Sequence, residues 1–174
     1  MTMKDFEINI ANLSTAPDPR IKEKRSAVLS DLKVSTSWIK PPGIVEVDVL
    51  LEAVHGGVLV SGTVKAQWQG ICRRCLGDAN GIITCYVREL FEPNSNLETT
   101  YLLQSDRLDL EPLARDAILL ELPVAPLCAE DCLGLCIKCG MNLNEGTCDC
   151  NVAEVDPRWA GLESLKFDDS NGYK

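Results

Sequence analysis

The clearest pattern in the chain is a two-residue alternation of apolar and polar positions over long stretches of its first half. Between residues 44 and 54, Val45, Val47, Val49 and Leu51 fall on one face, and Glu46, Asp48 and Glu52 fall on the other. That is the pattern of a half-buried strand. His55-Gly56-Gly57 reads as a turn, and Val58–Trp68 resumes the alternation with Val58, Val60, Val64, Ala66 and Trp68 inward. Two alternating runs about a Gly-Gly turn predict an antiparallel hairpin. Residues 6–11 predict a strand before it, residues 82–91 a strong one after it, and residues 99–103 a weaker one. Residues 14–40 show no single period, and Pro41-Pro42-Gly43 closes them off.

The period then changes. Leu110, Leu113, Ala117 and Leu120 form a helical stripe, which predicts a helix over about 109–122. Asp109 is its N-cap, Pro112 is tolerated in the first turn, and Pro123 stops it. A second, short helix is expected from Asp156-Pro157, with Trp159, Leu162 and Leu165 inward, followed by a frayed tail. The fold class is therefore α+β: a β-rich body of antiparallel hairpins over residues 1–122, with one main helix. A cysteine-rich, zinc-binding module follows over 123–152, then the short helix and tail over 153–174.

Composition narrows the function. The 174 residues allow one domain with a real core plus a small appendage. Lys and Arg number 17 against 26 acids, for a net charge of −9. Such a field does not draw nucleic acid, so any RNA contact needs a local basic patch. Two are available: Arg20, Lys22, Lys24 and Arg25, which surround Ile21 and Glu23, and the pair Arg73-Arg74. The first reads as a solvated helix face or a loop, with an RNA contact as the alternative. The second offers guanidinium forks that match phosphate oxygens, or is exposed or paired to nearby acids. The single histidine, His55, removes most catalytic constellations. No glycine-rich phosphate loop occurs, and no small-molecule substrate is evident. Neither a secretory signal nor a run long enough to span a membrane is visible, so the chain reads as cytoplasmic.

The nine cysteines carry the strongest chemistry. In a reducing compartment, clustered cysteines indicate metal ligands rather than disulfides. Six lie within 23 residues: Cys128, Cys132, Cys136, Cys139, Cys148 and Cys150. Cys136-Ile137-Lys138-Cys139-Gly140 has the form of a knuckle that presents two thiolates to a tetrahedral zinc ion. Cys148-Asp149-Cys150 supplies the other pair, and Cys128 with Cys132 is the competing pair. The expectation is one structural Zn²⁺ site, closed by four thiolates. Cys72, Cys75 and Cys85 read as half-buried thiols at a strand end. The alternatives are half of a second zinc site, partners for the C-terminal cysteines, or a redox pair. Residues 123–174 hold nine acids against four bases, so this part is suited to a protein partner rather than to phosphate.

The run Leu122-Pro123-x-x-Pro126-Leu127-Cys128-x3-Cys132-x-Gly134-Leu135-Cys136-x2-Cys139-Gly140-x-Asn142-Leu143-Asn144 continues with Cys148-x-Cys150 and Asp156-Pro157-Arg158. It is similar to the YceD family of large ribosomal RNA subunit accumulation proteins. Ser61-Gly62, Cys72-x2-Cys75 with Arg74-Cys75-Leu76, and Leu108-Asp109-Leu110 match it in order. The resemblance implies a bacterial or plastid factor for accumulation of large-subunit rRNA, with no established enzymatic activity. It also implies that the metal is not essential to the shared function, since some members lack such cysteines. The expected role is non-catalytic: ribosome biogenesis through synthesis, processing or stability of 23S rRNA. The expected partner is that rRNA or a basic ribosomal protein. The alternatives are a zinc-containing adaptor linked to transcription, and a thiol-redox protein using Cys72-x2-Cys75.

Overall fold

The computed structural model describes residues 5–95, 99–150, 158, 159 and 161. The chain divides into two compact units, Met1–Cys132 and Leu133–Lys174. The division falls at Leu133 rather than at Pro123, so the segment with Cys128 and Cys132 belongs to the β-rich body. Among the described residues, no helix is long and apolar enough to cross a membrane.

The first unit is mostly β. A short pair, β1 (Glu7–Asn9) with β9 (Arg107–Asp109), stands apart from the main sheet. The main sheet has seven strands: β2 (Arg20–Val28), β3 (Lys33–Val34), β4 (Ser37–Ile39), β5 (Ile44–Val54), β6 (Gly57–Ile71), β7 (Asp78–Glu92) and β8 (Tyr101–Leu102). Their order is β2-β5-β6-β4-β3, with β7 along the other side of β6. All pairings are antiparallel except that of β7 with the short β8.

The predicted hairpin is β5–β6, joined through His55 and Gly56, with Gly57 already paired to Val54. Its inward residues form the core as the alternation requires: Val45, Val47, Val49 and Leu51 of β5 lie against Val58, Val60, Val64 and Ala66 of β6. Each fully buried aliphatic side chain contributes about 1.5–3 kcal/mol relative to exposure. The helix α1 (Glu111–Glu121) packs on β6 and β7 and closes this face of the sheet.

Three expectations change. The basic run is neither a helix face nor a loop: Arg20–Val28 is an edge strand, paired along its whole length to β5. Its inward positions are Ile21, Glu23, Arg25 and Ala27, opposite Leu51, Val49, Val47 and Val45. Two charged residues on the apolar face break the alternation. They lie on the edge strand opposite Val49 and Val47, where Arg25 pairs with Glu23 at 3.1 Å.

The helix departs from its predicted stripe at one end. Leu110 and Leu113 are buried and Ala117 packs against the core as expected, whereas Leu120 is 87% exposed. Ala114, Ile118 and Leu122 complete the buried face. Leu110 holds the cap position, and the Asp109 carboxylate still accepts the Glu111 N–H at 2.9 Å. Finally, most of the expected short helix lies outside the described residues. Of its inward set only Trp159 is described, and Trp159 is exposed.

Gly62 sits opposite Val49 in the β5–β6 ladder. A Cβ there would collide with the backbone carbonyl of Asp48, which cannot swing away as a side chain could. Gly62→Ala is expected to lower stability by about 2 kcal/mol or more, read as a drop in the urea midpoint. An unchanged midpoint would contradict this register.

Candidate functional site

Strands β6 and β7 are not joined by a tight turn. Residues 72–77 form a knuckle between them: the Cys72 N–H donates to the Gly77 carbonyl at 2.8 Å, and the Leu76 N–H to the Cys72 carbonyl at 2.9 Å. Leu76 closes it in the left-handed region, at φ 58°, a conformation usually taken by glycine. The Arg74 N–H points to the Cys72 sulfur at 3.4 Å.

The segment after α1 is bound back to this knuckle. The Ser37 hydroxyl donates to the Pro123 carbonyl at 2.7 Å, and the Arg73 N–H to that of Pro126 at 2.9 Å. The Arg74 guanidinium donates to the carbonyls of Glu130 at 3.2 Å and Cys132 at 2.9 Å.

These bonds bring Cys72, Cys75, Cys128 and Cys132 together, with all four sulfurs within 4.8 Å of one another. The Sγ–Sγ distance is 3.8 Å for Cys72–Cys132 and 3.6 Å for Cys75–Cys128. Four sulfurs at about 2.3 Å from a tetrahedral ion stand about 3.8 Å apart. Cys72 and Cys132 are buried, and Cys128 is exposed.

The second unit repeats the device. Cys136, Cys139, Cys148 and Cys150 also lie within 4.8 Å of one another. Gly140 takes the place that Leu76 has in the first knuckle, at φ 74°, and its N–H donates to the Cys136 carbonyl at 2.9 Å. Bonds from the Cys136 N–H to Met141 and from the Leu143 N–H to Gly134 make a small hairpin around it. The Asn144 side chain accepts the Leu133 N–H at 2.8 Å. Of the described residues of this unit only Gly134 and Cys136 are buried, so an apolar core does not account for its order.

The electrostatics of both clusters suit a cation. Backbone N–H groups, that of Cys75 first, then those of Cys128 and Arg74, hold the Cys72 thiol down to about 6 despite burial. The N–H groups of Cys139 and Lys138 do the same for Cys136, also to about 6. Cys128 is pushed up to about 12, first by Cys132 and then by Cys75. Cys150 rises to about 12, first through Cys139. Thiolates this close repel one another, and a divalent ion removes that conflict.

Two sequence expectations are corrected here. The cysteines form two four-sulfur clusters, not one, and Cys128 and Cys132 do not compete for the downstream set. Cys72 and Cys75 are their partners rather than isolated half-buried thiols. The available signal was the count: six clustered cysteines leave two over after one tetrad, and C-x2-C upstream completes a second. Cys85 joins neither cluster. It is buried, donates to the Ala117 carbonyl at 3.3 Å, and is pushed up to about 11 by burial and then by Glu121.

The basic residues are dispersed. Arg20 pairs with Asp18 at 2.8 Å and Lys22 with Asp48 at 3.7 Å. Arg20, Lys22 and Lys24 alternate with Glu23 and Arg25 along β2, so the run is split between two faces. Arg74 is committed to the carbonyls of the cysteine loop, while Arg73 is exposed.

The sequence model of the family described as large ribosomal RNA subunit accumulation protein YceD matches residues 60–166, a span that contains both clusters. An uncharacterized Mycobacterium tuberculosis protein is 34% identical over 167 residues, covering 91% of this chain and 80% of its own. An uncharacterized Mycobacterium leprae protein is 34% identical over 148 residues, covering 76% of this chain and 62% of its own. The chloroplastic large ribosomal RNA subunit accumulation protein YCED homolog 1 of Arabidopsis thaliana is 37% identical over 59 residues. That match covers 34% of this chain and 18% of the plant protein. No solved structure matches the chain. With its match running from β6 through both four-cysteine clusters, the chain belongs to the YceD family of large ribosomal RNA subunit accumulation proteins.

Proposed function

We propose that the chain is a non-catalytic factor in assembly of the large ribosomal subunit. It supports the synthesis, processing or stability of 23S rRNA and holds one zinc ion in each four-cysteine cluster. The family match carries the ribosomal part of this reading. The metal part rests on the donor set: four sulfurs and no histidine in each cluster favour zinc. A site closed by four thiolates leaves no position for water or substrate, which fits a structural ion. In the second unit, metal binding and folding are then one event.

The C-x2-C motif at Cys72 shares its cluster with two further sulfurs, which favours a ligand role over thiol-redox chemistry. The reading assigns the chain to the cytoplasm, where thiols stay reduced and available to zinc. A basic ribosomal protein or the rRNA itself is the expected partner, and opposite charge would speed docking of the former.

Metal analysis of the purified chain is expected to give two zinc ions per molecule. Cys136→Ser and Cys72→Ser are each expected to lose one, and retention of both ions by either variant would overturn the ligand assignment. Cys72→Ser should also lower the unfolding temperature of the β-rich unit, since its cluster fastens the segment after α1.

Alkylation distinguishes the thiols. After chelation at pH 8, Cys72 and Cys136, held down to about 6, should react first with iodoacetamide. Cys85 should lag behind them, because a buried thiol near 11 is almost wholly protonated there. Equal rates would contradict its burial.

Depletion of the protein is expected to lower 23S rRNA relative to 16S rRNA, with the tagged chain recovered on large-subunit precursors. Unchanged rRNA levels, or recovery with RNA polymerase in place of those precursors, would overturn the ribosomal reading.

A further inference from the structure

The main sheet has two faces, and α1 covers one of them. The other is open: Ile82 is 72% exposed and Tyr86 86% exposed. Strand β6 runs past the start of β5, so its last residues are flanked by β4 on one side and β7 on the other. The register places Trp38, Gln69 and Asn80 in one row across this face, and Gln67 beside Ile82 in the next.

A trough of about 780 Å³ lies over these rows, lined by Trp38, Lys40, Gln67, Gln69, Asn80 and Ile82. A second hollow of about 350 Å³ continues it over Pro42, Ile44 and Lys65, and shares Lys40, Gln67 and Ile82 with the first.

The polar groups of the trough are unspent. The side-chain amides of Gln67, Gln69 and Asn80 make no hydrogen bond among the described residues. Lys40 and Lys65 have no ion pair there either. A merely solvated sheet face is populated by charges and threonines. A row of free amides between an indole and an exposed isoleucine is a different surface.

Amides donate and accept at once, as the edges of nucleobases do. The Trp38 indole offers a face on which an unstacked base lies. Two free ammonium groups at the rim suit the phosphates between such bases. With Glu46 and Asp78 against Lys65 and Lys40 the trough has no net charge to draw a basic protein, and the amides and the indole carry the preference for bases.

We propose that the open face of the sheet, over the β4–β6–β7 trough, binds a short stretch of single-stranded RNA. Trp38 stacks on a base, Gln67, Gln69 and Asn80 contact base edges, and Lys40 and Lys65 meet phosphates. This rests on the ribosomal reading above but names a surface that neither patch singled out from the sequence contains. A duplex does not fit, since its bases are stacked away from such a surface.

The test uses the full, zinc-loaded chain and fluorescence anisotropy with labelled single-stranded RNA 10-mers of A, U, C and G. Binding of at least one 10-mer is expected, with an RNA duplex failing to compete. Two phosphate contacts imply a salt slope of roughly −1.4 in a log–log plot. Trp38→Ala is expected to weaken binding by about fivefold or more, the loss of one stacked base. Ile82→Glu, at an exposed position that folding does not need, should weaken it comparably while the zinc content stays unchanged. Lys22→Ala, at the far end of the same face, should have no effect.

Absence of binding, competition by the duplex, or indifference to both Trp38→Ala and Ile82→Glu would overturn the proposal. So would occupation of the face by a ribosomal protein, seen as binding that Ile82→Glu abolishes while no RNA binds. The same variants in cells separate the two readings. If depletion lowers 23S rRNA and Ile82→Glu restores it fully, the surface is wrong and the ribosomal role stands. If depletion leaves 23S rRNA unchanged, that role itself fails.

Discussion

Strand β6 is the constraint on which the rest of the first unit depends. It pairs with β5 along one side, with β7 along nearly its full length on the other, and with β4 where β5 has ended. That overhang beyond β5 has two consequences. On the open face it carries Gln67 and Gln69 out between β4 and β7. At its end it delivers Cys72 into the knuckle that leads to β7. A hairpin of equal strands would have neither the trough nor the first cysteine cluster in these places.

The two clusters solve different problems with the same chemistry. In the first unit the aliphatic core of β5, β6, β7 and α1 is already extensive. The cluster there acts as a clasp. It fastens the strand-end knuckle to the segment that follows α1, together with the Arg73, Arg74 and Ser37 bonds to that segment. Among the described residues of the second unit only Gly134 and Cys136 are buried, so a metal ion held by the four sulfurs would take the place of a core. Each knuckle lowers one thiol by aiming backbone N–H groups at it, so a thiolate is available before the others give up their protons. Gly140 performs the closing turn without steric cost, whereas Leu76 performs the same turn with a Cβ. The first knuckle therefore stores some strain, which its hydrogen bonds to the 123–132 segment offset.

Charge sorts the surfaces. An overall −9 disfavours a broad electrostatic grip on RNA. The basic run that stood out in the sequence is partly neutralised by Asp18, Glu23 and Asp48 in the folded chain. Over the β4–β6–β7 trough the chemistry is short-range: amides, an indole, and two lysines beside two acids. Such a surface gives weak dependence on salt and strong dependence on shape.

The hairpin, its inward residues, the strand after it, the helix span and the clustering of cysteines at metal-ligand spacing were all legible in the sequence. Each is written in local spacing: period two for a strand with one covered face, a shorter helical stripe, and C-x2-C for a knuckle. The edge strand β2 was not legible, because Glu23 and Arg25 occupy inward positions opposite Val49 and Val47 and so break the two-residue alternation. The face that α1 buries was legible in part: Leu110, Leu113 and Ala117 meet the core, but the sheet takes Ala114, Ile118 and Leu122 in place of Leu120. The cysteine tetrads show the same division most plainly. Sequence offered sulfur donors, with Cys136, Cys139, Cys148 and Cys150 as one set and Cys128 with Cys132 as a competing pair. Only the tertiary structure could join Cys72 and Cys75 to Cys128 and Cys132, because the bonds that bring them together connect the end of one strand to a segment more than 50 residues away.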